Sequence, residues 1–213
     1  MNGKRNGSDS ANLLLIGLTG NVGSGKSTVA RIWREERGAA LVDADHLGAE
    51  AVKPGNPALQ KLVERFGEEI LQPDGSLNRR LMGRIAFSST EKLEALNSIV
   101  HPEIVARIKS AIGQAKKKGV PALVVDAALI YEFGIDEILD RVVMVDAPLE
   151  LRKRRMLAKD KMDQKTLEKL IGFQMDPEEM KRRAHFVIEN SDDLESLRAR
   201  ALEVFDRLVS GQD

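Results

Sequence analysis

The sequence contains no cysteine, which excludes disulfide bonds, thiol catalysis and cysteine-ligated metal sites. It also lacks any apolar run that approaches the roughly 18 residues of a membrane-spanning helix. Neither charge is in excess, because 33 lysines and arginines balance 33 aspartates and glutamates, whereas a domain that binds duplex nucleic acid is usually basic. We therefore expect a protein whose partners are neither membranes nor nucleic acids. A monomer and a homo-oligomer are both compatible with this composition.

The N-terminal segment is polar and carries no signal-peptide cleavage region. We therefore expect residues 1–12 to form a disordered leader on a cytoplasmic protein. The chain has 213 residues, of which 42% are hydrophobic, so it can bury the core of one domain, which we predict at residues 13–211.

Short apolar runs alternate with segments of helical spacing, which predicts a parallel sheet covered by helices on both faces. Such a sheet is typical of an α/β fold of the three-layer, doubly wound type. A closing C-terminal helix is predicted around residues 194–208. The predicted strands are Leu13–Leu18, Ala39–Asp43, Ala122–Asp126, Arg141–Asp146 and His185–Glu189.

Two long helical segments interrupt the alternation of strands and helices. Residues 46–118, which contain a turn signal at Pro73–Ser76, are predicted to be an acceptor-binding insertion, and residues 147–184 are predicted to be a lid. Within the insertion, apolar residues keep helical spacing on either side of Pro102. Because the residue before a proline avoids helical geometry, we predict two helices that meet at His101.

The string GLTGNVGSGKSTVA, from Gly17 to Ala30, fits the phosphate-loop (P-loop) pattern G-x-x-x-x-G-K-[ST] between a predicted strand and a predicted helix. Gly20 and Gly25 allow the backbone to turn sharply and to approach phosphate oxygens closely. Lys26 is placed to reach the outer phosphates, and the Ser27 hydroxyl is placed to bind Mg²⁺. The motif predicts a fold of the P-loop NTPase type with a nucleotide bound at this turn.

A phosphate loop predicts a nucleotide but does not identify the reaction. The guanine-reading motif of switch GTPases has no match, since the nearest string, Ala158–Asp163, differs from it. No signature of motor or transporter ATPases is present, so the chain length and the predicted lid favour a small-molecule kinase. The acceptor class stays open between several small molecules, including nucleoside monophosphates and hydroxy acids. A non-catalytic, ATP-binding regulator with the same fold is the alternative from another class.

Carboxylates lie at the ends of several predicted strands, where ligands bind in doubly wound sheets. An aspartate in this position can also cap the following helix. Asp45, just after Asp43, is predicted to orient an acceptor hydroxyl and to accept its proton. Asp126 is predicted to hold Mg²⁺ through water in the manner of a Walker B aspartate, and Asp146 is predicted to be structural.

Several strings match a known family in the order in which they occur. They are GLTGNVGSGKSTVA, VDADHLGAEAVKPGNPAL, FGEEILQPDGSLNRRLM, HPEI, ALIYE, RVVMVDAP and HFVIEN. Together they resemble the dephospho-CoA kinase family, whose members use ATP to phosphorylate the ribose 3′-hydroxyl of dephospho-CoA. The phosphate loop is shared by many kinases, but the other strings in this order occur in far fewer proteins.

The resemblance implies a role for each matching residue. Asp45 corresponds to the carboxylate beside the acceptor hydroxyl, and Arg79 and His101 correspond to positions of the acceptor-binding insertion. Arg155 corresponds to the arginine that approaches the transferring phosphate from the lid, and Asn190 to the asparagine near the adenine end of ATP. The residues that correspond to the ATP phosphate loop are Gly23, Ser24, Gly25, Lys26, Ser27 and Thr28.

The chain departs from the family pattern at a few lid positions. Arg152 replaces a frequent glutamine, and Lys159 stands where a second lid arginine is common. A lysine keeps the positive charge but loses the bidentate fork of the guanidinium. Neither departure falls in the phosphate loop or at Asp45.

Overall fold

The computed structural model describes residues 13–212 except 87, 132–133, 159–170 and 173. The predicted leader therefore lies outside the described residues. The strands form one parallel sheet in the order β2-β3-β1-β4-β5, which confirms the predicted α/β fold. Their bounds are Leu14–Thr19 (β1), Ala40–Asp43 (β2), Ala122–Asp126 (β3), Arg141–Asp146 (β4) and Phe186–Glu189 (β5).

The helices occupy the connections between the strands. None of those described is both long enough and apolar enough to cross a membrane. Short 3₁₀ turns lie at Glu68–Ile70 and Ile135–Ile138. The helices are Lys26–Arg37 (α1), Ala44–Ala51 (α2), Pro57–Phe66 (α3), Arg79–Ala86 (α4), Thr90–Lys118 (α5), Leu149–Leu157 (α6), Pro177–Arg183 (α7) and Leu194–Ser210 (α8).

Apolar side chains cover both faces of the sheet. On one face, α1 and α8 pack together around Trp33, whose indole N–H donates to the carbonyl oxygen of Ala201 at 2.7 Å. The Trp33 and Phe205 rings lie 5.6 Å apart between centroids. On the other face, Ile108 of α5 and Met180 of α7 belong to a second cluster with residues of β3 and β4. Burial on both faces explains why the central strands are continuous apolar runs.

The insertion has a hydrophobic cluster of its own. Leu62 of α3 and Ile70 are fully buried there, and Met82 of α4 packs with them. Between α3 and α4, the Gln72 amide donates to the Ser76 carbonyl at 2.8 Å, which confirms the turn predicted in this stretch. This insertion cluster is joined to the cluster on the sheet through α5, whose residue Val100 packs against both.

The prediction of two helices that meet at His101 is wrong, since α5 continues through Pro102. The N-terminal half of α5 packs Leu96 against the insertion cluster, whereas Ile108 in the other half packs against the sheet. Val100, beside the proline, contacts both clusters. Proline removes one backbone donor from the helix, and its ring crowds a carbonyl group of the preceding turn. Burial of apolar surface on both halves outweighs this loss, and one long helix results.

Candidate active site

The phosphate loop connects β1 to α1 and is built mainly from backbone. Gly20, Gly23 and Gly25 have φ angles of 141°, 79° and 104°, a region that residues with a side chain rarely adopt. Gly25 is the N-cap residue of α1, and no side chain among the described residues caps this helix end. The N-terminus of α1 therefore presents backbone N–H groups and the positive end of the helix dipole, which together favour an anion.

The loop is also packed too closely for larger residues. A Cβ atom on Gly20 would overlap the carbonyl oxygen of Val145, and one on Gly25 would overlap the side-chain amide of Asn190. Both contacts come from the ends of neighbouring strands β4 and β5. The glycines are therefore required both for the backbone conformation and for the approach of the sheet to the loop.

Arg155 and Asn190 hold the second half of the loop. The Asn190 Nδ2 group donates to the Ser24 carbonyl at 2.6 Å, and Arg155 Nη1 donates to the Gly23 carbonyl at 3.3 Å. Arg155 Nη2 also donates to Asn190 Oδ1 at 3.1 Å. Burial lowers the pKa of the Arg155 guanidinium, and the neighbouring Arg154 lowers it further. The structure thus brings together these two sequence-predicted residues and the loop.

The first half of the loop is held by residues that the sequence patterns did not identify. The Val22 amide donates to Gln174 Oε1 at 2.9 Å, and Asn21 Nδ2 donates to the Met175 carbonyl at 3.3 Å. Gln174 and Met175 precede α7, in the predicted lid region. No periodicity or motif marks Gln174, because its contact depends on the tertiary position of a segment about 150 residues away from the loop in sequence. The N-terminal part of the predicted lid region, through Arg155, and its C-terminal part, through Gln174, therefore both contact the loop.

The carboxylates at the strand ends differ in the contacts that they make. Asp43 and Asp126 are register neighbours on β2 and β3, and Asp126 also pairs with Leu18 of β1, directly before the loop. Asp43 Oδ1 accepts the His46 amide at 2.9 Å and caps α2. Asp45 lies in the first turn of that helix, but its side chain lies outside the described part of the structure.

Asp146, at the end of β4, forms an ion pair. Its Oδ2 atom lies 2.9 Å from the Lys181 ammonium, which also contacts Glu178. The hydrogen bond from Lys181 to Asp146 is the main reason that the pKa of this lysine is raised. Asp146 is thus engaged by α7, as expected for a structural residue.

The predicted acceptor-binding residues lie on separate helices. Arg79 is exposed at the first turn of α4 and lines a pocket of about 430 Å³ together with Lys53 and Arg80. His101 is half-buried in the middle of α5 and does not line this pocket. The residues Lys53, Arg79 and Arg80 therefore give this pocket a positive charge, whereas His101 lies outside its lining.

A family model described as dephospho-CoA kinase matches residues 14–196 of the chain. The chain belongs to the dephospho-CoA kinase family. A curated dephospho-CoA kinase from Corynebacterium efficiens is 42% identical over 198 residues, which cover 93% of this chain and 96% of that relative.

Solved structures agree with this membership. TT1252 from Thermus thermophilus is 34% identical, with a TM-score of 0.78, and the match covers 91% of this chain and 96% of that one. A dephospho-CoA kinase from Campylobacter jejuni is 25% identical, with a TM-score of 0.66, over 92% of this chain and 98% of that one. As a member of this family, the chain is a kinase.

The residues at the loop fit the nucleotide and the ion that a P-loop kinase uses. Lys26 is half-buried at the start of α1, and Ser27 is exposed beside it. The backbone N–H groups at this helix end suit phosphate oxygens, and the Ser27 hydroxyl is an oxygen ligand of the kind that Mg²⁺ prefers. Asp126 lies half-buried at the end of the adjacent strand, where a second oxygen ligand could act through water.

Proposed function

We propose that the chain transfers the γ-phosphoryl group of ATP to the ribose 3′-hydroxyl of dephospho-CoA, which gives coenzyme A and ADP, in the cytoplasm. The observation that carries the proposal is the extent of the family match at residues 14–196, which spans the phosphate loop, the insertion and the lid region together. A match confined to the loop would have fitted any P-loop kinase. We assign acceptor binding to the insertion and closure over the site to the lid region.

The phosphate loop is the proposed binding site for the triphosphate of ATP. Backbone N–H groups from Gly23 to Thr28 would bind phosphate oxygens, and Lys26 would neutralise charge on the outer phosphates. The Ser27 hydroxyl, together with Asp126 through water, would hold Mg²⁺, which neutralises charge on the phosphate oxygens when it is bound. The contact between Asn190 and the Ser24 carbonyl supports the loop at the end that we assign to adenine.

Asp45 is the proposed general base. Its carboxylate would orient the acceptor hydroxyl and accept its proton, while the oxygen forms a bond to the γ-phosphorus and the bond from phosphorus to ADP breaks. The N-cap contact of Asp43 supports this role indirectly, because it fixes the start of α2, the helix that carries Asp45. Arg79 and His101 would hold the acceptor against the insertion.

Arg155 is the proposed cation of the lid. Phosphoryl transfer spreads negative charge over the oxygens of the moving group, and a guanidinium nearby stabilises that charge. The contacts of Arg155 with Gly23 and Asn190 support this proposal, because they keep its charge at the loop. Closure of the lid would also exclude water, which could otherwise accept the phosphoryl group.

The function is tested by following ADP release from ATP and Mg²⁺ with dephospho-CoA, with the mass of the product as confirmation. Shikimate, gluconate and nucleoside monophosphates serve as competing acceptors. The expected result is ADP release that depends on dephospho-CoA and a product with the mass of coenzyme A. ADP release with another acceptor alone would contradict the proposed substrate. ATP binding without turnover on any acceptor would contradict the proposed activity and favour a regulator.

A further inference from the structure

Arg152 of α6 is a buried charged residue that the proposed mechanism does not use. It is only 5% exposed, although arginine is almost never buried unless it is paired. Two positions further along the same helix, Arg154 is exposed. The burial of Arg152 is therefore specific to its position and is not a property of the arginine-rich segment as a whole.

The contacts of Arg152 leave its charge incompletely compensated. Its Nε group donates to the Ala147 carbonyl at 3.1 Å, whereas Nη1 is buried without a hydrogen-bond partner among the described residues. Burial lowers the pKa of the guanidinium, and the nearby Asp146 carboxylate partly offsets this effect. Asp146 itself is bound to Lys181 at 2.9 Å. Within the described part of the chain, Arg152 forms no ion pair of its own.

The backbone of Arg152 lies directly against the phosphate loop. A Cβ atom placed on Gly23 would lie 2.8 Å from the Arg152 carbonyl oxygen and 3.1 Å from its Cα and Cβ atoms. Gly23 has a positive φ of 79° and is one of the loop residues assigned to phosphate binding. The backbone of Arg152 therefore packs against the phosphate loop, and its side chain contacts the Ala147 carbonyl just after β4.

A buried, unpaired charge is costly, and its retention points to a ligand that compensates it. Charge interactions are stronger in a site that excludes water than in bulk solvent, so a buried positive charge on a residue that packs against the loop favours an anion bound there. The family frequently has a neutral glutamine at this position, which would not supply that charge. This chain also carries Lys159 where a second lid arginine is common.

We propose that Arg152 is a further determinant of nucleotide affinity, because its buried positive charge stabilises the triphosphate of ATP bound at the phosphate loop. This inference rests on the proposed ATP site. To the backbone amides and to Lys26 it adds a positively charged residue that packs against the loop, and it predicts that affinity for the nucleotide depends on the number of phosphates more steeply than in an Arg152→Gln variant.

The test compares binding of ATP, ADP and adenosine to the full-length chain by calorimetry, with ligand-observed NMR for the weakly bound adenosine. Arg152→Gln introduces the residue that is frequent in the family, and Arg154→Gln on the same helix is the matched loss of an exposed charge. We expect Arg152→Gln to raise the Kd of ATP about tenfold and that of ADP less, with adenosine unchanged. Arg154→Gln should change the Kd of ATP by less than about twofold, because exposed charges are screened.

Arg152→Lys separates charge from structural support. It keeps the positive charge but removes the Nε group that donates to Ala147. We expect this variant to retain most of the affinity for ATP. Equal weakening in the lysine and glutamine variants, or equal weakening for ATP and adenosine, would show a structural role and overturn the inference. An unchanged ATP affinity in Arg152→Gln would also overturn it, whereas absence of ATP binding by the wild-type chain would overturn the proposed ATP site itself.

Discussion

The phosphate loop and the helical insertion are built by different means. The loop takes its shape from backbone dihedrals that glycine favours, at Gly20, Gly23 and Gly25. The insertion takes its shape from side chains that are distant in sequence, such as Val52 and Ala86, which are both buried in its own cluster. A short string of residues can encode the first kind of structure, whereas the second depends on how several helices pack together.

The two regions also present different chemical groups to their ligands. The loop offers mainly backbone N–H groups, so its function depends on the path of the chain. The insertion offers side chains such as Arg79, beside a pocket of about 430 Å³. Substitutions in the loop should therefore change the binding of the nucleotide, and substitutions in the insertion should change the binding of the acceptor.

The largest effect is expected for Asp45→Asn, directly before the insertion. The amide cannot accept the proton of the acceptor hydroxyl, so kcat should fall about 10²–10⁴-fold, the usual contribution of a general base. The Kd of ATP should stay unchanged, because the loop is intact. Steady-state kinetics and calorimetry measure the two quantities separately.

Asp43→Asn is the matched control for this substitution. Asparagine caps a helix about as well as aspartate, so the bond to the His46 amide should persist and kcat should change less than about threefold. Near-normal turnover in Asp45→Asn would remove Asp45 from the chemistry. Equal losses in both variants would instead assign the effect to the position of α2.

A smaller but still large effect is expected for Gly20→Ala in the loop. The new Cβ atom would overlap the Val145 carbonyl at a φ of 141°, so the loop must shift. Displacement by about 1 Å can reduce catalysis about 100-fold, and we expect a loss of this size in kcat/KM for ATP. The measurement is a titration of the initial rate with ATP.

Gly38→Ala supplies a control outside the loop, because it also places a side chain at a positive φ but causes no overlap. Gly38 ends α1 with a φ of 69°, and a Cβ atom there meets nothing within 4 Å. It should lower the free energy of unfolding by about 1 kcal/mol and leave the kinetics unchanged. Similar kinetic losses in both variants would show that replacing any glycine of positive φ impairs the enzyme, and they would contradict a specific role of the contact between Gly20 and β4.

The contrast between structure that is encoded locally and structure that depends on packing explains which features the sequence predicted well. Each strand is a local run of apolar residues, and β3 and β4 were predicted with their observed bounds, Ala122–Asp126 and Arg141–Asp146. The loop was recognisable because its glycines are required locally. The role of Asp45 was predicted from its place after a strand, and the roles of Arg79, His101 and Arg155 came from the family resemblance. All of these roles stay predictions.

Features that depend on tertiary packing were missed. Local geometry at Pro102 predicted a break, but the clusters on either side of that residue stabilise a continuous α5. Gln174 was not singled out, since its bond to the Val22 amide joins segments far apart in sequence. The burial of Arg152 could not be inferred either, because Arg154 on the same helix has the same residue type but is exposed.

A tenfold change in the KM for the acceptor alone is expected for Arg79→Met. Loss of a positive charge at the pocket should raise the KM for dephospho-CoA about tenfold, whereas the KM for ATP should not change. Arg84→Met, on the exposed side of the same helix, is the control and should leave both constants unchanged. An increase in the KM for ATP in Arg79→Met would contradict the proposed separation between loop and insertion.

The smallest effect is expected for Pro102→Ala, where the two regions are joined. Proline inside a helix is about 3 kcal/mol less favourable than alanine, although it also restricts the unfolded chain. The observed helix has already adapted to the proline, so we expect a gain of about 1–2 kcal/mol in the free energy of unfolding. Pro57→Ala is the control, because Pro57 lies in the first turn of α3, where no helical N–H is lost. It should give no gain in a urea titration.

Pro102→Ala also tests why a less stable helix would be retained. His101 precedes the proline, and Val100 contacts both hydrophobic clusters, so a change in the path of α5 would shift the insertion relative to the sheet. If the proline serves the acceptor site, the stabilised variant should have a higher KM for dephospho-CoA and an unchanged Kd for ATP. Greater stability with unchanged kinetics would show that the joint between the regions tolerates either residue, and that the acceptor site is positioned by the insertion cluster alone.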